Sequence, residues 1–323
     1  MTSSSNATPG TTVMTGASRG LGRVAAEHLL RHQPDRHLLV FNRRPGLAAE
    51  LAARTGNPGV SEVICDLASF ADIRRAAAEA VEITGTTGPL NGFLGNAGLQ
   101  MATTRKLTAD GFEMTFGVNV LAYHLLLNLL RPHFANPARI VVVGSDVHDT
   151  DLNTLGLIPP PRWDDPRELV KPGRDTPREG RRAYATSKLG VIYLVHAMRR
   201  RLPDGVDVYS YNPGLVPDTD LARDAGRVGR AAFRAVGKVL MRLPFATDSA
   251  NAGRLLAETM TGPRPGDSGS YVNRGEVVPS SSESYDERRE EELWTVAEEL
   301  CGLADDGTAR TADGTTRTPR RSA

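Results

Sequence analysis

Short apolar segments alternate with helical patterns along almost the whole chain, and this alternation restricts the fold more than any other feature. The apolar segments are TTVMTG, HLLVF, SEVICD, PLNGFLGNAG, ARIVVVGS, GVDVYSYNPG and, near the C-terminus, SGSYVNRGEVV. Continuous apolar strands separated by helices are typical of a parallel sheet that helices cover on both faces. Right-handed crossovers then predict an α/β doubly wound parallel sheet, which binds ligands beyond the carboxyl ends of its strands.

The segments between the strands set the organisation of the chain. Apolar positions that recur on one face predict helices over residues 23–31, 109–130 and 184–202. The stretch 149–182 is rich in Pro, Gly and Arg, and is expected to be a functional loop or a disordered insertion. We predict a single domain over 12–303, a flexible arm at 1–11 and a disordered tail at 304–323.

Composition excludes several classes of protein. Lys+Arg 39 against Asp+Glu 38 gives a formal charge of +1, which argues against a nucleic-acid partner. No apolar run approaches the roughly 18 residues of a transmembrane helix, and the N-terminus has no apolar signal core. Cys65 and Cys301 stand alone, and the histidines lack metal-ligand spacing, so we expect neither disulfide nor metal site. A cytoplasmic protein fits this pattern best.

A glycine-rich turn, TGASRGLG, lies between the first strand and the first helix. Gly16, Gly20 and Gly22 would let the backbone approach a pyrophosphate, and the helix N-terminus would supply N–H groups and a positive dipole end. The alternative is an ordinary tight strand–helix turn. The spacing alone is weak evidence, and the strand ends that follow add to it.

The second and third strands end in polar residues that bear on the choice of cofactor. Asn42, Arg43 and Arg44 follow the second strand, where an acid would bind a ribose 2′-hydroxyl and an arginine a 2′-phosphate. Together with Arg19 of the turn, these arginines favour NADP(H) over NAD(H), the alternative being solvated loop charges. Asp66, after the third strand, is equally compatible with binding an adenine amino group and with capping a helix.

Tyr184 and Lys188 stand at positions i and i+4, on one helix face. A phenol titrates near pH 10, so an ammonium one turn away is expected to stabilise the phenolate and lower the pKa of Tyr184. The chain has only four lysines, and an ammonium is not interchangeable with a guanidinium. The pair is therefore predicted to be an acid–base couple, an incidental surface pair being the alternative.

Two further polar residues complete the predicted catalytic set. Ser145 ends the fifth strand, where its hydroxyl could hold a substrate carbonyl oxygen or cap a helix. Asn119 lies in the helix after the fourth strand. A structural role and a proton relay from Lys188 through water are equally compatible with that position.

In order along the chain, TGASRGLG, GNAG, Asn119, Ser145, the YxxxK motif and Asn212-Pro213-Gly214 resemble the motifs of the short-chain dehydrogenase/reductase family. The resemblance covers about residues 12–303. Residues 107–130 and the C-terminal segment are similar to the retinol dehydrogenase and protochlorophyllide reductase branch of that family.

The resemblance implies a Rossmann-like fold, hydride transfer with a nicotinamide, Tyr184 as proton donor, Ser145 orienting the carbonyl and Lys188 binding the nicotinamide ribose. The cofactor site it implies comprises Gly16, Ser18, Arg19, Gly20, Leu21, Gly22, Asn42, Arg43, Arg44, Asp66, Leu67, Asn96, Ala97, Gly98, Tyr184, Lys188, Pro213 and Gly214.

The chain departs from the family pattern in three places. Gly95 replaces an asparagine whose amide ties the backbone, so we expect a looser fourth strand. Val120 stands where the branch often has histidine. The segment between Ser145 and Tyr184 is longer than in short members, so 149–182 is an insertion expected to shape the substrate pocket.

Residues 215–245 correspond to the segment that caps the substrate in this family. A basic row within it is compatible with a solvated helix, with docking to an acidic carrier protein or with a membrane surface; it consists of Arg230, Arg234, Lys238 and Arg242. Homodimer and monomer are both compatible with the resemblance.

From the lid and the insertion we expect an NADP(H)-dependent ketoreductase or alcohol dehydrogenase for a bulky, fairly apolar small molecule. The alternatives are reduction of a conjugated C=C bond and a non-catalytic nucleotide-sensing regulator.

Overall fold

The computed structural model describes residues 10–152, 156, 158–216 and 247–303, and contains one eight-stranded sheet. The strand order is β3-β2-β1-β4-β5-β6-β7-β8, parallel as far as β7, with β8 antiparallel to β7. The predicted α/β doubly wound parallel sheet is confirmed. The strands are β1 Thr11–Thr15, β2 His37–Asn42, β3 Val60–Ile64, β4 Leu90–Gly95, β5 Phe134–Val143, β6 Val206–Asn212, β7 Tyr271–Asn273 and β8 Glu276–Val278.

Helices cover both faces of the sheet, because each central strand is apolar on both sides. One core contains Val13, Phe93 and Ile140, and the other contains Met14 and Leu94, the alternation expected of a pleated strand. The helices of the described residues are α1 Gly20–His32, α2 Leu47–Thr55, α3 Phe70–Thr87, α4 Met114–Phe116, α5 Ala122–Leu130, α6 Pro166–Leu169, α7 Pro177–Arg199, α8 Ser249–Thr261 and α9 Glu287–Leu300. Helices α1, α2 and α8 pack on one face, and α3, α5, α7 and α9 on the other.

The helix predicted over 109–130 begins later than expected. It starts at Met114, because the buried carboxylate of Glu113 accepts the N–H groups of Thr115 and Phe116, while Leu107 and Glu113 form an isolated bridge. Between α4 and α5 the chain forms a π-helical turn at Gly117–Leu121. The predicted helix is therefore shorter and interrupted.

Two other boundaries differ from the prediction. Helix α7 begins at Pro177 and not at Tyr184, because the Thr176 side chain caps it by accepting from the Glu179 N–H at 3.3 Å. The segment SGSYVNRGEVV, predicted as one strand, is a hairpin that turns at Arg274 and Gly275, both with positive φ. Strand β1 begins at Thr11 and Gly10 before it is buried, so these two residues of the arm predicted for 1–11 belong to the fold.

Several predictions concern residues outside the described part of the chain. They are residues 1–9 of the arm, the tail 304–323 and most of the predicted lid at 215–245, including its basic row. The two ends of the lid segment lie together, because the Thr247 N–H donates to the Leu215 carbonyl at 2.9 Å.

Candidate active site

The glycine-rich turn between β1 and α1 is built around Asn96. The Asn96 amide donates to the Gly16 carbonyl at 2.9 Å. A Cβ atom added to Gly22 would lie 2.2 Å from both Asn96 Nδ2 and Gly16 O, whereas one added to Gly20 would meet no atom within 4 Å. Gly16 and Gly22 are thus required by packing inside the turn. Gly20, at φ +54°, leaves the entrance of α1 open.

The first turn of α1 is suited to an anion. It carries no acidic side chain, and Arg19 at its N-cap position makes no side-chain cap. Ser18 and Arg19 are exposed and Leu21 is buried, so the polar residues of the turn face outward. Backbone N–H groups at such a helix end can hold a phosphate.

Strand β4, which we expected to be loosened by Gly95, is held at its end by the side chain of Tyr123. A Cβ atom at Gly95 would lie 2.8 Å from the Tyr123 ring, so the tyrosine occupies that space. The Tyr123 hydroxyl bonds to Thr15 Oγ1 at 2.9 Å and donates to the Ala97 carbonyl, while the Ala97 N–H donates to Thr15 Oγ1 at 3.1 Å. The ends of β1 and β4 are therefore connected through a buried phenol. Sequence reasoning missed this residue.

Arg43 and Arg44 follow β2 in a loop whose far end is fixed. The Glu62 carboxylate accepts the N–H groups of Gly46, Leu47 and Ala48, at 2.6, 2.9 and 3.4 Å. Asn42 Nδ2 donates to the Arg44 carbonyl. Both arginines are exposed, and among the described residues neither guanidinium pairs with a carboxylate.

Asp66 and Leu67 lie after β3, on the same side of the sheet as the glycine turn. The helix-cap alternative for Asp66 is wrong, because Ser69 caps α3 by accepting from the Asp72 N–H at 3.3 Å. The exposed Asp66 carboxylate accepts the Ala68 N–H at 3.1 Å. Leu67 is half-buried and packs against the core.

Ser145, Tyr184 and Lys188 come together beyond the carboxyl end of β5. Lys188 Nζ lies 5.6 Å from the centre of the Tyr184 ring and donates to the Val143 carbonyl at 2.8 Å. The Ser145 hydroxyl lies close enough to the Tyr184 phenol to lower its pKa, and Ser145 Oγ accepts from the Val147 N–H at 3.5 Å. Ser145 therefore both caps a short 3₁₀ turn and contacts the tyrosine. Tyr184 and Lys188 are almost fully buried.

The electrostatics of Tyr184 differ from the expectation that Lys188 lowers its pKa. Burial raises the pKa of Tyr184, the charge of Asp146 raises it further, and the neighbouring Ser145 hydroxyl opposes both. Burial lowers the pKa of Lys188 to about 8. The reason is geometric, because Lys188 directs its ammonium to the Val143 carbonyl and not to the phenol.

Asp146 is a site residue that sequence reasoning missed. Ser145 Oγ donates to Asp146 Oδ1 at 3.3 Å, and burial raises the pKa of this carboxyl. Asp146 also raises the pKa of Tyr271, whose buried hydroxyl has no hydrogen-bond partner among the described residues. The only sequence signal was an acid directly after Ser145.

Asn119 lies inside the π-helical turn. Its amide donates to the Leu99 carbonyl at 2.9 Å and accepts the Leu99 N–H at 3.0 Å. The same amide donates to Ser187 Oγ at 2.9 Å. A Cβ atom on Gly98 would lie 3.4 Å from Asn119 Oδ1 and 3.7 Å from Lys188 Nζ, so the three groups are neighbours. Asn119 thus joins the β4 loop to the helix of Tyr184.

The insertion at 149–182 is folded against the site where the structure describes it. Arg162 exchanges backbone hydrogen bonds with Thr186 Oγ1 at 3.0 and 3.4 Å, and Trp163 packs edge-on against Tyr193 at 4.6 Å. At its far end, the Gly173 N–H donates to Thr104 Oγ1 at 3.0 Å. Both anchors reach elements that carry the candidate site.

The Asn212-Pro213-Gly214 motif follows β6 at the same edge of the sheet. Asn212 Oδ1 accepts the Gly214 N–H at 3.1 Å, and Asn212 Nδ2 donates to Asn273 Oδ1 at 3.1 Å. Pro213 is buried, and Gly214 has a φ of +76°. The turn leads directly into the start of the predicted lid.

The sheet, its helices and the polar residues at this edge define the class of the protein, a doubly wound α/β protein with a polar site at the carboxyl edge of its sheet. A family model for short chain dehydrogenases matches residues 10–154. Polyprenol dehydrogenase from Danio rerio is 30% identical over 305 residues, which cover 90% of this chain and 86% of that protein. The chain belongs to the short-chain dehydrogenase/reductase family.

The relatives also confirm the predicted branch. The chloroplastic protochlorophyllide reductase of Chlamydomonas reinhardtii is 29% identical over 318 residues, 91% of this chain and 78% of that protein. A crystal structure of an uncharacterized protein from Mycobacterium paratuberculosis superposes with a TM-score of 0.65 at 27% identity, covering 91% of this chain and 93% of that one. In the part of the chain that the structure describes, every helix is too short or too polar to span a bilayer.

Proposed function

We propose that this protein is an NADP(H)-dependent oxidoreductase that interconverts a carbonyl and an alcohol on a bulky, fairly apolar small molecule. The observation that supports it most is that Ser145, Tyr184 and Lys188 come together beyond β5, with Lys188 Nζ 5.6 Å from the centre of the Tyr184 ring. A buried phenol with a polar partner at the carboxyl edge of a parallel sheet is suited to proton transfer.

The residues around the glycine turn fit a nicotinamide dinucleotide, which when bound supplies or accepts a hydride. The open space at Gly20 and the uncapped start of α1 suit a pyrophosphate. Arg43 and Arg44 are exposed and lack a carboxylate partner among the described residues, which suits a 2′-phosphate. Asn42, Asp66, Leu67, Asn96, Ala97, Gly98, Pro213 and Gly214 would line the remainder.

Each polar side chain of the site then has its own role in the reaction. In reduction, Tyr184 donates its proton to the substrate oxygen, and its raised pKa keeps the phenol protonated at neutral pH. Ser145 donates a hydrogen bond to the same oxygen as negative charge develops there. Lys188 would bind the nicotinamide ribose, and Asn119 holds the loop at Leu99 in place.

Replacement of Tyr184 by Phe tests the proposal. We expect turnover with NADPH to fall by about 10²–10⁴-fold, because the proton donor is lost. Nucleotide-induced thermal stabilisation should be retained. Tyr193→Phe on the same helix is the matched control, since its hydroxyl donates to the Glu283 carbonyl and accepts from Arg289, neither of which belongs to the candidate site, and it should keep turnover. Unchanged turnover in Tyr184→Phe would contradict the mechanism, and a protein that binds nucleotide without turnover would be the regulator considered above.

The preference for NADP(H) is tested by thermal shift with NADPH and NADH at equal concentrations. We expect a larger rise in Tm with NADPH, because Arg19, Arg43 and Arg44 add charge-assisted hydrogen bonds to the 2′-phosphate. Arg43→Ala should reduce the difference between the two nucleotides. Arg254→Ala, an exposed arginine paired with Glu258 on α8, should not. An equal or larger shift with NADH would overturn the cofactor assignment.

Reduction of a conjugated C=C bond is the second candidate. It is favoured by the likeness to protochlorophyllide reductases over nearly the whole chain. In that reaction Tyr184 would protonate carbon and not oxygen. A cytoplasmic location and a homodimer remain predictions alongside these proposals.

A further inference from the structure

The insertion and the first turns of α7 enclose an open cavity of about 370 Å³ beside the candidate site. The apolar residues that line it are Leu152, Ile158, Pro159 and Pro160, and the basic ones are Arg178 and Arg181. A cavity lined by both apolar and basic side chains is suited to an amphipathic molecule, because it can contact an apolar body and an anionic group together.

Contact with the Tyr184 cluster places this cavity next to the chemistry. Ile158 packs against the buried cluster of Val147, Tyr184 and Ala185. Arg181 lies one helical turn before Tyr184 on α7, and Arg178 one turn before that. Ile158 and α7 therefore connect the cavity lining to the tyrosine.

The two arginines lack partners of opposite charge within the described residues. Arg181 Nε is buried and makes no hydrogen bond there, and neither guanidinium contacts a carboxylate. The next arginine, Arg182, does pair, with Glu179 at 2.7 Å. A buried donor without an acceptor is costly, and an anion that accepts from it recovers that cost.

The helical turn that carries these arginines is fixed in position. A Cβ atom added to Gly180 would lie 2.5 Å from the carbonyl oxygens of Met101 and Ala102, so the helix touches the loop after β4. The Thr176 cap fixes the start of the same turn. The guanidinium groups at i and i+3 are therefore presented on one face, from a firm support.

We propose that this cavity binds an anionic group, a carboxylate or a phosphate, carried on the apolar body of the substrate, with Arg178 and Arg181 as donors. A guanidinium matches the paired oxygens of either group in a fork-like arrangement. The inference rests on the proposed function for the reacting carbon at Tyr184, but binding of the anion itself does not require turnover.

The experiment measures binding by calorimetry without nucleotide, using 4-benzoylbenzoate, its methyl ester and 4-benzoylphenyl phosphate as probes. We expect the wild-type protein to bind one or both anions at least about tenfold more tightly than the ester, from charge-assisted hydrogen bonds. The double variant Arg178→Gln/Arg181→Gln should reduce this ratio to about one. The carboxylate and phosphate arms show which anion is preferred.

Arg182→Gln is the matched control and should keep the wild-type ratio, because its guanidinium is already paired. The exposed Arg178→Gln alone should give an intermediate ratio, and it tests the site even if the double variant misfolds. An unchanged ratio in a folded Arg178→Gln or double variant would overturn the proposal, as would equal binding of ester and anions or no binding of either anion. Loss of turnover with an intact ratio would instead contradict the proposed function alone.

Discussion

At the scale of single residues, the site buries a phenol, an ammonium group and a carboxyl group close together. Tyr184 and Lys188 are buried together, yet the ammonium bonds to a backbone carbonyl, and the nearest carboxyl is Asp146 beside Ser145. The negative charge of Asp146 favours a protonated Tyr184. If Tyr184 is the proton donor that we propose, this arrangement suits reduction at neutral pH and oxidation in the alkaline range.

Asp146→Asn should lower the pKa of Tyr184, because the variant removes a negative charge while its amide oxygen still accepts from Ser145. The groups that face Asp146 are Ser145, His148, Tyr184 and Tyr271. Oxidation of a secondary alcohol needs the phenolate, so its rate rises with pH through the pKa of Tyr184. We expect this rise to occur about one pH unit lower in the variant.

The measurement is kcat/KM for oxidation against pH. The alkaline loss of reductase activity should move to lower pH by the same amount. Asp149→Asn is the matched control, because the Asp149 carboxylate raises the pKa of Tyr271 but not that of Tyr184. This variant should leave both the oxidation profile and the reduction profile at their wild-type pH. If the pH profiles of Asp146→Asn coincide with those of the wild-type protein, the electrostatic role of this carboxyl is refuted.

At the scale of elements, the turn between β1 and α1 depends on contacts from β4. Asn96 and Tyr123 reach it from positions far along the chain, and Gly16 and Gly22 leave room for them. The turn is therefore specified by packing as much as by any ligand. Its glycines differ in their tolerance of a side chain.

Gly22→Ala should destabilise the protein by about 1–3 kcal/mol, because a Cβ atom there overlaps Asn96 Nδ2 and the Gly16 carbonyl. Nucleotide-dependent stabilisation should fall with it. Gly85→Ala in α3 is the matched control, since its Cβ atom would meet no atom within 4 Å. It should raise the free energy of unfolding by up to about 1 kcal/mol. Urea denaturation measures the free energy of unfolding of both variants. A Gly22→Ala protein as stable as the wild type would show that the turn can accommodate a Cβ atom, against the prediction.

The elements show how far local sequence signals reach. The central strands and the Tyr184/Lys188 pair were predictable, because apolar runs and i, i+4 spacing are local properties. The capping box Thr176-Pro177-Arg178-Glu179 was present in the sequence and marks the true start of α7, but its Pro- and Arg-rich surroundings favoured a loop. Gly275 likewise indicated a turn between β7 and β8, but the apolar residues around it favoured a single strand.

Other features had no local signal. Glutamate is uncommon as a helix cap, so the start of α4 at Met114 follows from the burial of Glu113. The contacts of Tyr123 with Thr15, and of Thr186 with Arg162, join distant parts of the chain. Only the assembled fold brings such pairs together, and this is why the insertion was expected to be less ordered than its described residues are.

At the scale of the whole molecule, the C-terminal helix α9 supports the helices that carry the site. Trp294 lies 4.7 Å from the His124 ring on α5, and the Arg201 guanidinium lies 4.3 Å from the Trp294 ring. The buried Glu290 carboxylate bonds to His196 at 2.8 Å and to Arg200 at 2.5 Å. These contacts with α9 hold two helices in position. They are α5, which follows Asn119, and α7, which carries Tyr184.

Trp294→Ala should lower the free energy of unfolding by about 3–5 kcal/mol, because a large buried side chain leaves a cavity between three helices. Chemical denaturation followed by circular dichroism measures the loss. Arg288→Ala on the exposed side of the same helix should change stability by less than about 0.5 kcal/mol. A similar stability for both variants would mean that α9 is not a structural support.

The hydrogen bond between Thr247 and Leu215 has a consequence for how this scaffold can diversify. Because this bond joins the two ends of the intervening segment, another segment needs only to span the same short gap between them. Lengthening a connection whose ends are held together costs only a logarithmic amount of chain entropy. The junction is therefore a natural graft point, where one segment can be exchanged for another of different length while the hydrogen bonds of Lys188 and Asn119 stay in place.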